Sequence, residues 1–285
     1  MTRVAVLADI HGNVPALEAV MGDLMRQGVD EVLVGGDLVG RGPEGRAVVE
    51  MVRSRGWRSV RGNHEDYLLG TRAAPADDAA DDIVRGTRWM ADELDDDAAA
   101  YLAALPDSLV AASAPELRVV HGSPRSNREG IGPWTSPELL RTLYDDVAEP
   151  ILLCAHTHRP LVHRLDGGLV VNVGSVGLPF DGDPRASYAV LERRADGWRV
   201  DIRRVAYDRG AVLERYATTG FQSAAGAMAA MLAREIETAR SHLVPFATWC
   251  EAREAAPDLA QVGSFLAGFQ PERPIAQPPD RAPDA

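Results

Sequence analysis

The sequence has only two cysteines, Cys154 and Cys250, too few for a disulfide framework, and neither sits in a metal-binding motif. Such usage fits a reducing cytosol. No stretch approaches the roughly eighteen consecutive apolar residues of a membrane span. Met1-Thr2-Arg3-Val4 runs straight into a strand-like segment, with no room for a signal peptide. A cytoplasmic protein without membrane association is therefore expected. Positive charge is scarce as well: a net charge of −12 and a pI near 5.0 argue against bulk, sequence-independent binding to nucleic acid or an anionic membrane. An acidic chain that acts on phosphates needs local positive charge, from bound metal ions or from arginines near its motifs. There is no internal repeat, and the oligomeric state is left open.

What is present suits a globular fold: 285 residues, 46% of them hydrophobic, can bury one large core, or one domain with an appendage. Val4 to Ala8 reads as a buried strand. Apolar residues at helical spacing follow from Pro15 to Gln27 (Leu17, Val20, Met21, Leu24), with a stop at Gly28. A strand at Val32 to Val34, a helix at Glu44 to Arg53 and a strand at Trp57 to Val60 continue the alternation. This order predicts parallel strands covered by helices, with functional residues at the carboxyl ends of the strands.

From about Asp66 the chain turns Ala- and Asp-rich, with Trp89, Met90, Leu94, Tyr101 and Leu102 at loosely helical spacing, which predicts a helical insertion over about 66–110. Its acids (Asp77, Asp78, Asp81, Asp82, Asp95, Asp96, Asp97) lack the ligand spacing and central glycine of a calcium loop, so they read as a solvated face with helix N-caps. Strands resume at Leu117 to Val120, Ile151 to Cys154, Leu169 to Val173, Tyr188 to Glu192 and Trp198 to Val205, with one helix, Pro137 to Val147, among them. Hairpin-like spacing across Ala195-Asp196-Gly197 predicts that the later strands are antiparallel, in a second sheet packed on the first. Helical patterns follow Asp208, at Ala224 to Ala239 and Phe246 to Ala255. The expected division is a main domain over 1–208, a helical extension over 209–268 and a proline-rich, disordered tail over 269–285.

Ligand-type side chains recur where apolar runs end: Asp9 and His11, Asp37, Asn63, His121, and His156 and His158. Any one histidine alone would pass for an ordinary polar residue, as His163 and His242 do. Together they offer carboxylate, amide and imidazole without thiolate, which suits divalent manganese, iron, cobalt or zinc. Seven ligands exceed one tetrahedral site but fill two adjacent positions, with one carboxylate bridging. Asp9 and His11, two residues apart, project to the same side of an extended segment, as do His156 and His158.

Asp9-Ile10-His11-Gly12-Asn13, Gly36-Asp37-Leu38-Val39, Gly62-Asn63-His64-Glu65, Val120-His121-Gly122 and His156-Thr157-His158-Arg159-Pro160 resemble, in chain order, the motifs of calcineurin-like metallophosphoesterases. Asn172-Val173-Gly174-Ser175-Val176-Gly177 and Asp181-Gly182-Asp183-Pro184-Arg185-Ala186-Ser187-Tyr188 further resemble the small prokaryotic phosphodiesterase branch. The similarity covers about residues 3 to 205. It implies an α/β fold of mixed sheets, a four-layer αββα sandwich with two metal ions at the strand tips. By that resemblance Asp9, His11, Asp37 and His158 bind one ion, Asp37 bridges, and Asn63, His121 and His156 complete the second. His64 is the non-ligand catalytic residue that protonates the leaving oxygen or steadies its charge, and water between the ions is the nucleophile. Arg41 resembles a phosphate-contacting arginine of the related protein phosphatases, and Arg125 is a second candidate substrate contact. Ala155 stands where the family usually has glycine. Gly40 replaces an aspartate that orients the catalytic histidine in those phosphatases, leaving Glu65 and Asp66 as possible substitutes.

The expected activity is hydrolysis of phosphodiesters of small or nucleotide-like molecules. Phosphomonoester or phosphoprotein hydrolysis is the alternative that Arg41 favours. A protein-interaction scaffold, as in the retromer subunit that keeps this fold, is the alternative from another class.

Overall fold

A computed structural model describes residues 2–75 and 81–271 of the chain. Asp77 and Asp78 of the expected insertion, and the expected tail from residue 272 onward, lie outside them.

The first sheet starts from β1 (Arg3–Leu7), β2 (Glu31–Val34) and the short β3 (Arg58–Ser59), which run parallel. Between them come α1 (Val14–Leu24) and α2 (Gly45–Ser54). The hairpin of β9 (Ala186–Arg194) and β10 (Gly197–Val205) is antiparallel, as expected, but it does not join the second sheet. It pairs with β1 and completes the order β10-β9-β1-β2-β3. The reason is burial. Tyr188 and Val190 face the helices beside Ala5 and Leu7, while Ala189 and Leu191 face the second sheet beside Val4 and Val6. Such a two-sided strand needs a partner on β1, and β10, with Arg199, Asp201 and Arg203, supplies a charged outer edge.

The second sheet has the order β4-β5-β6-β8-β7, from β4 (Ser108–Val110), β5 (Leu117–Val120), β6 (Ile151–Cys154), β7 (Leu161–Leu165) and β8 (Gly168–Asn172). The sequence reading lacked β4 and β7. β4 falls within the expected insertion, and β7 turns into β8 at Asp166-Gly167, with Gly167 at a φ of 81°. His163 lies on this strand, apart from the other motif histidines.

Val4, Val6, Leu33, Val119, Leu153 and Val171 fill the space between the sheets. α6 (Pro137–Tyr144) covers the outer face of the second sheet through Leu140 and Leu143, against Leu152 and Val170. The remaining helices join α1 and α2 on the other side, giving the four layers helix, sheet, sheet, helix. They are α3 (Asn63–Ala73), α4 (Asp82–Asp92), α5 (Asp96–Ala103), α7 (Arg209–Thr218), α8 (Phe221–Thr238), α9 (Leu243–Glu251) and α10 (Leu259–Gly268). The acids do cap: Asp81 accepts from Ile83 N and Val84 N, and Asp95 from Ala98 N. Asp82 is instead buried, and its carboxylate accepts from Ala227 N at 2.7 Å, where α8 kinks at Gly226 with a φ of 46°. A Cβ at Gly226 would collide with that carboxylate. The insertion and the C-terminal extension thus pack on each other, with Trp89 and Phe221 ring centroids 5.3 Å apart. Phe269, the first residue of the expected tail, stacks on Phe265 of α10. His242 is buried beside Phe269, away from the metal motifs. No described helix is long and apolar enough to cross a membrane.

Asp23 ties α1 to the hairpin. Its buried carboxylate accepts from the Tyr188 hydroxyl at 2.7 Å and from Arg203 Nε at 2.6 Å. Burial alone would raise its pKa, but the bonds from Arg203 and Tyr188 outweigh that and bring it down to about 2. A depressed carboxylate stabilises the fold above its unfolded pKa of about 3.9, and that stability disappears as pH falls through the folded value. Asp23→Ala is therefore expected to cost about 1–3 kcal/mol in urea unfolding at pH 7, because it orphans the buried Tyr188 hydroxyl. The gap from wild type should narrow as pH falls from about 4 to 2. A gap that stays constant over that range would contradict the role given to Asp23.

Candidate metal centre

The parallel strands of both sheets deliver the motif residues to one edge. Asp9 and His11 follow β1, Asp37 follows β2, His121 follows β5, and His156 and His158 follow β6. Asn63 and His64, expected at a strand tip, instead open α3, whose N-cap is Gly62. The His64 N–H donates to Asp37 Oδ1 at 2.9 Å, so a helix N-terminus, the positive end of its dipole, faces that carboxylate.

The two-residue spacings do not work through extended chain. β1 ends at Leu7 and β6 at Cys154, so both pairs lie in loops. Left-handed turns, with φ of 52° at Asp9, 53° at His11, 67° at His156 and 57° at His158, swing these side chains inward. Asp37 (53°) and Arg41 (61°) are left-handed too, so six of the eight non-glycine positive-φ residues among the described ones lie here. Each such residue costs about 1–3 kcal/mol, and only dense local bonding keeps it in place. Ala155 is not among them, so its Cβ brings no strain, and it packs in the core between the sheets.

That bonding uses residues whose part the sequence did not reveal. Glu65, fully buried, accepts from the N–H groups of Gly62 (2.6 Å), Asp37 (2.9 Å) and Leu38 (2.7 Å), and so ties the loop after β2 to α3. The Ser175 hydroxyl donates to the Asp9 carbonyl at 2.8 Å, and Asn172 Nδ2 to the Ala155 carbonyl at 2.7 Å.

One ligand atom from each of Asp9, His11, Asp37 and His158 falls within 4.8 Å of the others, and the same holds for Asp37, His121 and His156. Asp37 belongs to both groups. Asn63 Oδ1 joins the second, 2.9 Å from His121 Nε2 and 2.8 Å from His156 Nδ1.

These residues fit divalent cations. Nδ1 of His11 lies 3.1 Å from the Val39 carbonyl, and Nδ1 of His158 2.5 Å from that of Leu178. Each neutral ring therefore donates from Nδ1, and the two Nε2 lone pairs meet 3.1 Å apart. His121 likewise holds Nδ1 on the Gly35 carbonyl at 2.8 Å and turns Nε2 toward the Asn63 oxygen. The facing acceptors of His11 and His158 repel unless positive charge sits beside them. A carbonyl behind the imidazole is the usual support of a metal-binding histidine. Asp9 Oδ1, buried, has no hydrogen-bond partner.

Burial pushes the Asp9 carboxyl well above the usual carboxylate range, and burial with the Asp37 charge pushes Glu65 up to about 7. Burial also opposes charge on Asp37, but His121 outweighs it and holds Asp37 well below that range. In turn Asp37 overcomes the burial of His121 and pulls it up to about 10, whereas burial takes His11 and His156 down to about 4.

His64 lies against this cluster, its ring centroid 4.8 Å from that of His11. Neither neighbouring acid orients it: Glu65 is committed to backbone N–H groups, and Asp66 accepts from Asn127 at 2.7 Å and pairs with Arg61 at 3.3 Å. Arg41 Nε donates to His64 Nε2 at 3.2 Å instead. A Cβ at Gly40 would run into the His64 ring, so the missing aspartate leaves the space the ring occupies. Arg125 is paired with Asp146 at 2.7 Å, on the wall of a cleft of about 370 Å³ that reaches His121.

A family model described as the calcineurin-like phosphoesterase superfamily domain matches residues 2–196. The chain is 30% identical to a metallophosphoesterase from Sphaerobacter thermophilus, with a TM-score of 0.69 over 84% of this chain and 99% of that one. A hypothetical protein from Pyrococcus horikoshii shares the fold, at 23% identity and a TM-score of 0.72 over 85% and 100% of the two chains. An uncharacterized protein of Methanocaldococcus jannaschii is 27% identical in an alignment of 230 residues that covers 73% of this chain and 88% of that protein.

A Cβ on Gly62 would collide with Asp37 Oδ1 and come within 2.6 Å of Asp37 N. Gly62→Ala is therefore expected to fold with a normal circular dichroism spectrum yet lose about tenfold or more in manganese affinity, read by metal content after dialysis. Unchanged affinity would contradict the position assigned to Asp37.

Proposed function

The chain belongs to the calcineurin-like phosphoesterase superfamily, and on that premise we propose that it is a binuclear-metal-dependent hydrolase of phosphodiesters in small or nucleotide-like molecules. The observation that carries the proposal is the sharing of Asp37 by two ligand groups on one strand edge. Asp9, His11, Asp37 and His158 would hold one ion, and Asp37, Asn63, His121 and His156 the other, with manganese, iron, cobalt or zinc as the matching metals. Such a pair supplies Lewis-acid charge for phosphoryl oxygens and lowers the pKa of water toward neutrality.

The rest falls to the chain's own groups. Burial, then the charges of His11 and Arg41, hold His64 well below the ordinary imidazole pKa although Asp37 pulls the other way, so the ring is neutral at pH 7. With Arg41 donating to Nε2, its proton resides on Nδ1. A substrate phosphate that draws the guanidinium off Nε2 would be bound by that movement and would free the nitrogen to take the proton released by the attacking water and pass it to the leaving oxygen. Arg125, on the adjoining cleft, is the second phosphate contact. A guanidinium also suits a doubly charged monoester, so Arg41 favours phosphatase activity as a second reading. A non-catalytic scaffold finds no support in a chain that retains all seven ligand-type residues and His64.

Manganese-loaded protein is expected to hydrolyse bis(p-nitrophenyl) phosphate faster than p-nitrophenyl phosphate. The reverse ratio moves the assignment to a phosphatase, and turnover of neither contradicts the enzyme. His64→Ala should keep its metal while kcat falls about 10²–10⁴-fold on a diester with a poor leaving group, and less on one releasing p-nitrophenolate. Asp37→Ala should lose metal and activity together. Equal metal loss in both variants would overturn the assignment of His64 as a non-ligand.

A further inference from the structure

One buried carboxylate near this site has no part in the scheme above. Glu235, in α8, is 1% exposed and lies 194 residues along the chain from Arg41. Its Oε1 accepts from the N–H groups of His242 and Leu243 at 2.7 and 2.8 Å, where α9 begins. Its Oε2 accepts from Arg41 Nη1 at 3.4 Å. The same guanidinium donates through Nε to His64, so carboxylate, guanidinium and imidazole form one line from the C-terminal helices to the catalytic ring.

The C-terminal segment holds Arg41 a second time. The Tyr216 hydroxyl of α7 donates to the Arg41 carbonyl at 3.1 Å, at the left-handed turn that aims the side chain. Both partners are buried on helices whose other buried residues are apolar, Glu235 beside Leu232 and Ile236 on α8 and Tyr216 with Val212 on α7. A glutamine at position 235 would still accept from the His242 and Leu243 N–H groups, without the desolvation that a carboxylate incurs. What the carboxylate adds is a fixed direction for a long, flexible cation, and a reacting group placed in advance reacts faster.

We propose that the C-terminal helical segment completes the catalytic site, with Glu235 and Tyr216 as positioning residues that set the Arg41 guanidinium on His64. The kinetic part rests on the phosphoesterase reading above, whereas the placement of Arg41 does not.

Two measurements on zinc-loaded protein test it. The first is the side-chain ¹⁵N spectrum of His64 at one neutral pH. Wild type is expected to show the Nδ1–H tautomer, with Nε2 accepting from Arg41. Glu235→Gln keeps an acceptor for the His242 and Leu243 N–H groups but removes the charge facing Arg41, so a shift toward the Nε2–H tautomer is expected, with zinc content unchanged. The second is a double-mutant cycle in kcat/KM on the diester. Glu235→Gln and Arg41→Ala should each lose about tenfold to a hundredfold, and the double variant should fall no further than Arg41→Ala.

A wild-type spectrum in Glu235→Gln, or losses that multiply in the double variant, would overturn the proposal. If wild type hydrolyses no phosphoester, the functional reading fails and the spectra alone decide the placement. If Glu235→Gln does not fold, Tyr216→Phe takes its place. A smaller loss, about threefold to tenfold and absent in the Arg41→Ala background, is then expected. A wild-type spectrum and rate in Tyr216→Phe would overturn the proposal.

Discussion

Three carboxylates, Asp9, Asp37 and Glu65, are buried together where the two sheets meet at their carboxyl edges, and the rest of the site depends on how their charge is answered. An ionised carboxylate out of water is expensive unless something positive or donating stands against it. Glu65 is answered by backbone N–H groups. Asp37 takes the His64 N–H at the start of α3 and the His121 imidazole, 3.4 Å away. Asp9 is answered only in part: Oδ2 accepts from His156 N at 3.1 Å, while Oδ1 has no hydrogen-bond partner. The unmet demand lies where the imidazole lone pairs converge, and a divalent cation satisfies carboxylates and imidazoles at once.

The fold supports this arrangement from both sheets. The first supplies Asp9, His11, Asp37 and, by way of β3, Asn63; the second supplies His121, His156 and His158. Each ligand group therefore spans the two, and ions bound there would add to the apolar packing of Val4, Val6, Leu153 and Val171 that joins the sheets. Backbone strain gathers at the same edge, where left-handed Asp9 is held by bonds to Gly36 and Ser175, His11 by Asp37, Asp37 by Glu65, His156 by Asp9 and His158 by Phe180. Rigid strands beneath and strained, cross-bonded loops above place ligands more closely than either alone.

Much of this was legible in the sequence because it is local. Apolar runs ending in Asp9, Asp37, His121 and His156 mark parallel strands and their tips, and the division into helical and strand stretches follows from periodicity. The misreadings concern the partner each element takes. The hairpin of Tyr188 and Trp198 reads as antiparallel, but its place beside β1 depends on both faces of β9 being covered, which pairing alone does not reveal. Asp9 and His11 read as neighbours on extended chain, yet two left-handed turns bring them together, and no residue type announces those turns. The parts that Glu65 and Glu235 play are hidden for a plainer reason. An acid that binds backbone N–H groups or a distant arginine looks, in a sequence, like any other acid.

The central claim is that two cations share Asp37. Anomalous diffraction from crystals of the manganese-loaded protein tests it most directly. The account predicts two peaks roughly 3.5–4 Å apart, one ringed by Asp9, His11, Asp37 and His158, the other by Asp37, Asn63, His121 and His156. A single peak at full manganese loading, or two peaks with Asp37 bound to only one of them, would contradict it.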